Sequence, residues 1–276
     1  FKVLQPPLPI QRSIASILSA YDDLIENNRK RIAILEDMAR RLYREWFVHF
    51  RYPGHDAVPL VDSPLGRIPQ GWEIRPLGEV GDVSKGLSYK GEHLTDSGIP
   101  MINLKCIAEG GGFRRDGTKP YSGEFRPHHR VAAGDLIFAN TDLTPTGRII
   151  GTCAKVPRTA VPDFGIISHH ISAVRLKQNA PMPYALLHAQ LADQRFRDHA
   201  RGCASGATVL GFRTEDAEKY PVLLPPSELA EQFSRISSEQ SDLGENLNDQ
   251  IDVLRRTRDL LLPRLMSGAL RVDAHD

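Results

Sequence analysis

Two adjacent histidine pairs, His128-His129 and His169-His170, are the residues of this sequence whose type first suggests metal chemistry. Neighbours on a strand point to opposite faces, so neither pair is placed to share one ion. Ser168 and His169 near Asp163 supply the residue types of a nucleophilic triad, but no Gly-x-Ser-x-Gly elbow surrounds the serine. An Asn/Asp-Pro-Pro-aromatic grip for a base amine is missing as well. The Pro-Pro pairs stand in Gln5-Pro6-Pro7-Leu8 and Leu224-Pro225-Pro226-Ser227. None of the nine lysines has an acidic residue two places before it, as a common type of metal-dependent nuclease requires. Gly110-Gly111-Gly112 leads into no Gly-Lys-Ser/Thr and reads as a turn, not a phosphate loop. The reading is no catalytic centre and no metal site.

What the sequence does offer is positive charge interleaved with hydrogen-bonding side chains. Between Arg114 and Arg130 stand five cations (Arg114, Arg115, Lys119, Arg126, Arg130) against Asp116 and Glu124, with His128 and His129 beside them. Such a run suits phosphate contacts, and its alternative is an ordinary solvated face. A second candidate is the polar loop 140–148, with Asn140, Thr141, Thr144 and Arg148. A third is the glycine-rich 201–206, with Arg201 and Ser205. Asn and Arg side chains are suited to base edges, and glycine lets a backbone come close to a ligand.

These loops need a scaffold. Between Trp72 and Leu224 the text is short β-rich runs separated by Gly, Pro, Asn and Asp, which predicts strands at Leu77 to Ser84, Ile99 to Leu104, Leu136 to Ala139, Ile149 to Val156, Ile166 to Leu176 and Tyr220 to Leu224. One helix is predicted from Pro183 to His199. Residues 51–70, rich in proline and glycine, read as a linker.

Outside this region the sequence is written twice. With an offset of 219, Phe1-Lys2-Val3-Leu4-Gln5-Pro6-Pro7 falls on Tyr220-Pro221-Val222-Leu223-Leu224-Pro225-Pro226. Ile14, Ile17, Asp23-Leu24, Glu26-Asn27, Ile32, Leu35 and Leu42 fall on Phe233, Ile236, Asp242-Leu243, Glu245-Asn246, Ile251, Leu254 and Leu261 without a gap. Each copy reads as an extended run, a proline stop and a helix, since proline presets the helical φ and leaves the residue before it extended. Ile14, Tyr21, Asn28, Leu35 and Leu42 fit heptad position a, with Ile17, Leu24 and Met38 at d and Ile32 displaced to e. A helix of about 40 residues is about 60 Å long and needs a partner along its length, for which its own repeat is the obvious candidate. Gly268 is expected to end the second helix, after a kink at Pro263.

Composition excludes some classes. Of 276 residues, 41% are hydrophobic and 25% charged, with a net charge of +1, which is neither a disordered nor a membrane composition. Charges interrupt every apolar window of membrane-spanning length. Cys106, Cys153 and Cys203 are too few and too scattered for a disulfide framework and suit a reducing cytoplasm. Because Phe1 lies within one repeat while the other copy follows a whole domain, the protein is expected to continue upstream. The organisation is 1–50, extended start and long helix; 51–70, linker; 71–224, β-rich domain; 225–270, second long helix; 271–276, tail.

That layout resembles the specificity subunit of type I restriction-modification systems. The phrases that carry the resemblance are Gly71-Trp72 to Leu77-Gly78-Glu79, Gly98-Ile99-Pro100 to Ile102, Gly134-Asp135-Leu136-Ile137-Phe138, Gly147-Arg148, Tyr220 to Pro226, and Pro6-Pro7-Leu8-Pro9-Ile10-Gln11 with Asp23, Ile25-Glu26-Asn27 and the Leu35 to Leu42 run. The resemblance implies an α+β fold, a β-rich target recognition domain flanked by two long helices that pair as an antiparallel coiled coil. It implies a non-catalytic subunit that reads one half of a split double-stranded DNA site and docks methyltransferase and restriction subunits. S-adenosylmethionine, ATP and Mg²⁺ are then expected on those partners, with no cofactor on this chain. The family's first recognition domain is absent, which implies a fragment or a half-length subunit that pairs with a second copy of itself. The methyltransferase contact is expected on the first helix, at Tyr21, Ile25, Asn28, Ile32 and Trp46. The alternatives are a coiled-coil scaffold whose middle domain binds protein, and a self-contained nuclease with an unfamiliar site.

Overall fold

A computed structural model describes residues 6–142, 147–206 and 209–272. It divides into two compact units, one made of residues 1–39 with 238–276 and the other of Arg40–Ser237.

The first unit is a pair of helix segments from α1 (Leu8–Tyr43) and α6 (Ser227–Met266). Pro7 opens α1, its carbonyl accepting from Gln11 N–H at 3.0 Å. Gly268, at φ 72°, follows α6 and donates to Leu265 O, a left-handed stop that glycine adopts without strain. The segments run antiparallel, because Asp22 is paired with Arg258 whereas Asn28, further along α1, donates to Gln250 Oε1, further back along α6.

Burial defines the seam. On α1 one row of covered positions runs Ile14, Leu18, Tyr21, Ile25, Asn28, Ile32, Leu35 and Ala39, with Ile17 also half-buried beside it, and on α6 the facing row runs Gln240, Gly244, Leu247, Ile251, Leu254, Arg258, Leu261 and Leu265. Steps of four and three alternate strictly. The expected a row is therefore in place and Ile17 of the expected d row is half-buried, but from Leu24 onward the companion row lies four residues on and not three. Ile25 is 3% exposed, whereas Leu24 and Met38 of the expected d row are 51% and 50% exposed. Leu24 and Ile25 are both apolar, so periodicity could not choose between them.

The second unit carries the remaining elements. In chain order they are β1 (Leu60–Ser63), β2 (Gly66–Pro69), β3 (Glu73–Pro76), α2 (Leu77–Val80), β4 (Gly81–Lys85), β5 (Leu94–Ile102), β6 (Lys119–Tyr121), β7 (Arg130–Val131), β8 (Leu136–Ala139), β9 (Thr141–Asp142), β10 (Cys153–Lys155), β11 (Gly165–Ile167), β12 (Ile171–Leu176), α3 (Tyr184–Ala192), α4 (Gln194–Cys203), β13 (Leu210–Gly211), α5 (Thr214–Glu218) and β14 (Pro221–Leu224). An antiparallel sheet of order β10-β8-β12-β4 lies beside a mixed sheet of order β6-β5-β11-β7, in which β11 and β5 are parallel.

Alternation along the strands sorts side chains into layers. Leu136, Phe138 and Val174 enter a core shared with α3, α4, the end of α1 and the start of α6. Ile137, Ala154, Ile171 and Ala173 face the other way, against Ile102, Val131 and Ile167 of the mixed sheet. Met101, Tyr121 and Ile166 form a third cluster on the far face of that sheet.

Four readings change here. Leu77 to Ser84 is a helical turn followed by a strand; Ile166 to Leu176 is two strands broken at His169-His170; the helix Pro183 to His199 is two, parted at Asp193, whose Oδ1 caps the second through Arg195 N–H; and only Cys153–Lys155 of Ile149 to Val156 is strand. Residues 51–70 form a short 3-10 turn and the β1–β2 hairpin and send Tyr52 and Ile68 into the core. Arg44–Val48, the continuation of α1, is a π-helical turn in which both Trp46 and Phe47 are buried. Phe47 meets Phe233 edge-on at 5.0 Å, and Trp46 lies 6.3 Å from the same ring.

The seam assignment predicts unequal costs for neighbouring residues. Ile25→Ala should destabilise the protein by about 2–5 kcal/mol, and Leu24→Ala by within about 0.5 kcal/mol. Urea unfolding midpoints at fixed protein concentration measure both, and equal losses would return the seam to Leu24.

Candidate nucleic-acid interface

Two of the three candidate loops meet at one end of the antiparallel sheet. β8 ends in Ala139, and Asn140 follows it between two strands' worth of backbone. Its N–H donates to His170 O at 3.0 Å, its carbonyl accepts from Phe212 N–H at 2.8 Å, and its Nδ2 donates to Ser172 Oγ at 2.9 Å. The side chain is 2% exposed, and its Oδ1 has no partner among the described residues. Thr141 Oγ1 lies 2.7 Å from His170 Nδ1. β9 then pairs with β13, Thr141 opposite Gly211 and Asp142 opposite Leu210, and Ser205 exchanges two backbone hydrogen bonds with Gly211 at 3.0 and 2.8 Å. This ribbon brings 140–148 and 201–206 together.

The first loop is clamped at its base. Asp142, 2% exposed, accepts from Ile149 N–H at 2.6 Å. From α4, Arg201 Nε donates to Gly147 O at 2.9 Å and Arg197 Nη2 to Arg148 O at 2.6 Å. Arg148 itself is exposed. Thr144 lies outside the described residues. In the other loop Gly206 has φ 124°, and a Cβ there would sit 2.1 Å from Val209 O, so the turn beside Ser205 requires glycine.

A cavity of about 330 Å³ opens here, lined by Asn140, Thr141 and Ser205 together with Lys85, Arg213 and Thr214. Lys85 and Arg213 were not legible as site residues. Lys85 arrives because β4 pairs with β12, Lys85 opposite Ser172, which carries the end of β4 to the turn at His170. Arg213 is held by Asp216 at 3.0 Å. The cavity therefore presents neutral donors and acceptors between two cations, with the exposed Glu215 carboxylate also on its rim; the neutral groups suit base edges and the cations suit phosphates.

The basic run 114–130 does not form one patch. Lys119 lies on β6 and Arg130 on β7, the opposite edges of the mixed sheet, three strand spacings or about 14 Å apart. Arg114 is paired with Asp116 at 3.2 Å, and Arg115 donates to Thr159 Oγ1. The Arg130 guanidinium stacks over Phe164 at 4.6 Å and Phe125 at 5.3 Å. Arg126 N–H donates to His129 Nδ1 at 3.1 Å, and His128 packs on the His129 ring at 4.1 Å. Proximity in sequence did not become proximity in space, because the chain crosses the sheet between these residues.

No family model matches the chain. Sequence comparison finds the type I restriction enzyme MjaIX specificity subunit of Methanocaldococcus jannaschii, 26% identical over 275 residues, covering 95% of this chain and 59% of that protein. The MjaVIII specificity subunit of the same organism is 28% identical over 164 residues, covering 58% of this chain and 38% of that protein. The chain is similar to type I specificity subunits along nearly its whole length. It spans about three-fifths of the length of the first of these relatives. The fold agrees as well: the crystal structure of the type I restriction-modification S subunit from M. genitalium superposes with a TM-score of 0.60 at 14% identity, over 93% of this chain and 60% of that one. The chain shares with that specificity subunit the arrangement of two long helices around a β-rich region.

For this relative of specificity subunits, the residues expected to contact a partner are largely turned inward. Tyr21, Ile25, Asn28 and Ile32 lie on the helix seam, and Trp46 belongs to the aromatic core of the second unit. Ile25, Asn28 and Trp46 are buried and Tyr21 and Ile32 half-buried, so this set offers little outer surface for docking. Asn28 is matched by Gln250 at 3.3 Å, while Gln240 Oε1 has no partner among the described residues.

The histidine pairs also sit differently from expectation. His169 and His170 occupy the turn between β11 and β12, not a strand, with rings 3.8 Å apart. Burial lowers the pKa of both, and the neighbouring imidazole lowers that of His170 further. Among the described residues no group of three or more His, Cys, Asp or Glu is arranged to hold a metal. Ser168 is fully buried, out of a substrate's reach. Burial pushes the Cys106 and Cys153 thiols up to about 11 and about 12. No described helix is long and apolar enough to cross a membrane.

Two outcomes follow for the site's scaffold. Asp142→Ala leaves Ile149 N–H without its acceptor and should cost about 1–3 kcal/mol, with Asp142→Asn, which keeps an oxygen, costing less; thermal unfolding compares them. Desolvation lowers the pKa of His169 and His170 and brings His188 to about 4, so the unfolded chain takes up protons that the folded chain refuses. Stability should be full above about pH 6.5 and fall as pH drops toward about 4. His188→Gln should flatten that slope in a pH series of urea midpoints.

Proposed function

We propose that this chain is a DNA-recognition component of a type I restriction-modification complex, in which the second unit reads one half of a bipartite double-stranded target and the helix pair serves as spacer. The observation that carries the reading is the meeting of Asn140, Thr141 and Ser205 around one polar cavity flanked by Lys85 and Arg213. Similarity to the specificity subunits supports the same assignment. Cleavage and methyl transfer belong to partner subunits, which carry S-adenosylmethionine, ATP and Mg²⁺.

The helix pair offers those partners a surface other than the seam. Leu24, Ile34 and Met38 on α1 and Leu243, Val253 and Leu260 on α6 are exposed large apolar residues. Leu243 is the repeat counterpart of Leu24, and Val253 of Ile34. On each helix these positions flank the seam on the same side, and in an antiparallel pair equivalent flanks share one face. This apolar face is the proposed docking surface for methyltransferase subunits.

Sequencing the modified positions in DNA exposed to the assembled complex tests the reading. Arg148→Ala and Lys85→Ala should leave assembly intact and either relax one base position or weaken all sequences alike, according to whether the side chain meets a base or a phosphate. Ile34→Glu and Val253→Glu should abolish co-purification with the methyltransferase subunits while the chain stays folded. Methylation by the purified chain alone, or a modified motif indifferent to every one of these changes, would sink the assignment.

A further inference from the structure

The cavity at Asn140 has a neighbour. A second depression of about 670 Å³ is lined by Ser88, Tyr89, Lys90, His93, Ser122 and Glu124, with Tyr121 as its floor. Nothing in the sequence had marked these residues. The two depressions are joined by an unbroken series of side-chain contacts. Thr141 Oγ1 lies 2.7 Å from His170 Nδ1, the His170 and His169 rings are 3.8 Å apart, His169 and Tyr89 6.1 Å, Tyr89 and Tyr121 6.3 Å, and Tyr121 and His93 5.9 Å.

Backbone bonds hold this series in place. Leu87 N–H donates to Ile167 O at 2.7 Å and His169 N–H to Leu87 O at 2.8 Å, so segment 85–90 is stitched to the histidine turn. Tyr121 Oη donates to Glu124 O at 3.0 Å. Gly123 permits that approach, since a Cβ there would lie 2.3 Å from Tyr121 Oη and 2.9 Å from the His93 ring. His169 Nδ1 is buried with no partner among the described residues.

We propose that the DNA-reading surface is not confined to the loops around Asn140 but continues over His170 and His169 into the depression of Tyr89, Lys90 and His93, with His170 and Tyr89 as specificity-determining residues. This rests on the DNA-recognition reading above. The chemistry of the series matches its role: imidazole, phenol and hydroxyl groups offer directional hydrogen bonds to base edges, and their rings offer flat faces to sugars and bases. Lys85 and Lys90, both exposed, stand at the two ends of the connecting segment and suit backbone phosphates, Lys90 through exchange of its solvent-exposed pairing with Glu92 at 3.8 Å.

The test uses the assembled complex with its methyltransferase subunits. His170→Ala, Tyr89→Ala and the exposed-site variants Lys90→Ala and Ser122→Ala are compared with wild type by the modified motif and by affinity for cognate and non-cognate duplexes. Thermal melts and co-purification establish that each variant is folded and assembled; the exposed pair keeps the test decisive if a ring variant fails to fold. The expected result is a motif that becomes degenerate at one or more positions, with the preference for cognate DNA falling about tenfold or more per lost base contact. An unchanged motif with unchanged affinities in the folded variants overturns the extension, as does an equal loss on cognate and non-cognate DNA for His170 and Tyr89. A wild-type complex with no sequence preference overturns the DNA-recognition reading as well, so the two failures are distinct.

Discussion

The antiparallel sheet β10-β8-β12-β4 is covered on both faces, and the rest of the second unit follows from that constraint. Leu136 and Phe138 point into one core, and Ile137 into another. A sheet buried on both faces admits polar side chains on its middle strands only where they are partnered, as Ser172 is by Asn140 and Arg175 by Asp135 on β12, because a polar group taken from water without a partner costs several kcal/mol. Unconstrained polar residues accumulate where the central strands end. β8 ends at Ala139 and β12 begins at Ile171, side by side, so Asn140 and His170 are necessarily neighbours. The candidate interface lies at this end of the sheet.

Legibility in the sequence followed the range of the interactions involved. Leu136 to Ala139 was readable because four consecutive buried residues leave a short apolar run. The break at His169-His170 was not, since Ile166-Ile167 and Ile171 flank it with the same β-forming types. Loops 140–148 and 201–206 could each be recognised from polar and glycine-rich composition. Their meeting could not, because it depends on β9 and β13, strands of two residues each with no periodic signature. The basic run 114–130 misled for a related reason: local charge density was legible, while the crossing from β6 to β7 that disperses it is a matter of topology.

The helix pair shows where periodicity stops short of an answer. Steps of three and four fit two seams equally well when apolar residues stand side by side, as Leu24-Ile25 do, and the choice falls to what the facing helix presents. α6 brings Gly244 and Arg258 to its seam, positions that no hydrophobic pattern marks. Arg258 can lie there because its guanidinium reaches Asp22 while its stem covers apolar surface. The residues left outside are apolar at repeat-related positions on both helices, and it is unusual for a helix pair to expose such a face unless something covers it.

Electrostatics in the second unit divide cations into those that hold and those that remain available. Arg197 and Arg201 donate to the carbonyls of Arg148 and Gly147, and Arg213 is held by Asp216, so guanidinium groups that composition would credit to phosphate binding are engaged in shaping the loop. Arg130 is stacked on two phenylalanines. What faces outward near the cavities is a small number of exposed cations, Lys85, Lys90 and Arg148, among neutral side chains. On the proposed reading such a surface gains little from DNA in general, because sequence-independent attraction scales with the number of phosphates neutralised. On the proposed DNA-recognition reading, discrimination falls to neutral hydrogen-bonding groups such as Thr141 and Ser205 and to the imidazoles of His169 and His170, whose pKa burial lowers, and these have less to offer when the bases are wrong. A recognition surface with weak general attraction and directional contacts favours a high ratio of specific to non-specific binding over high affinity.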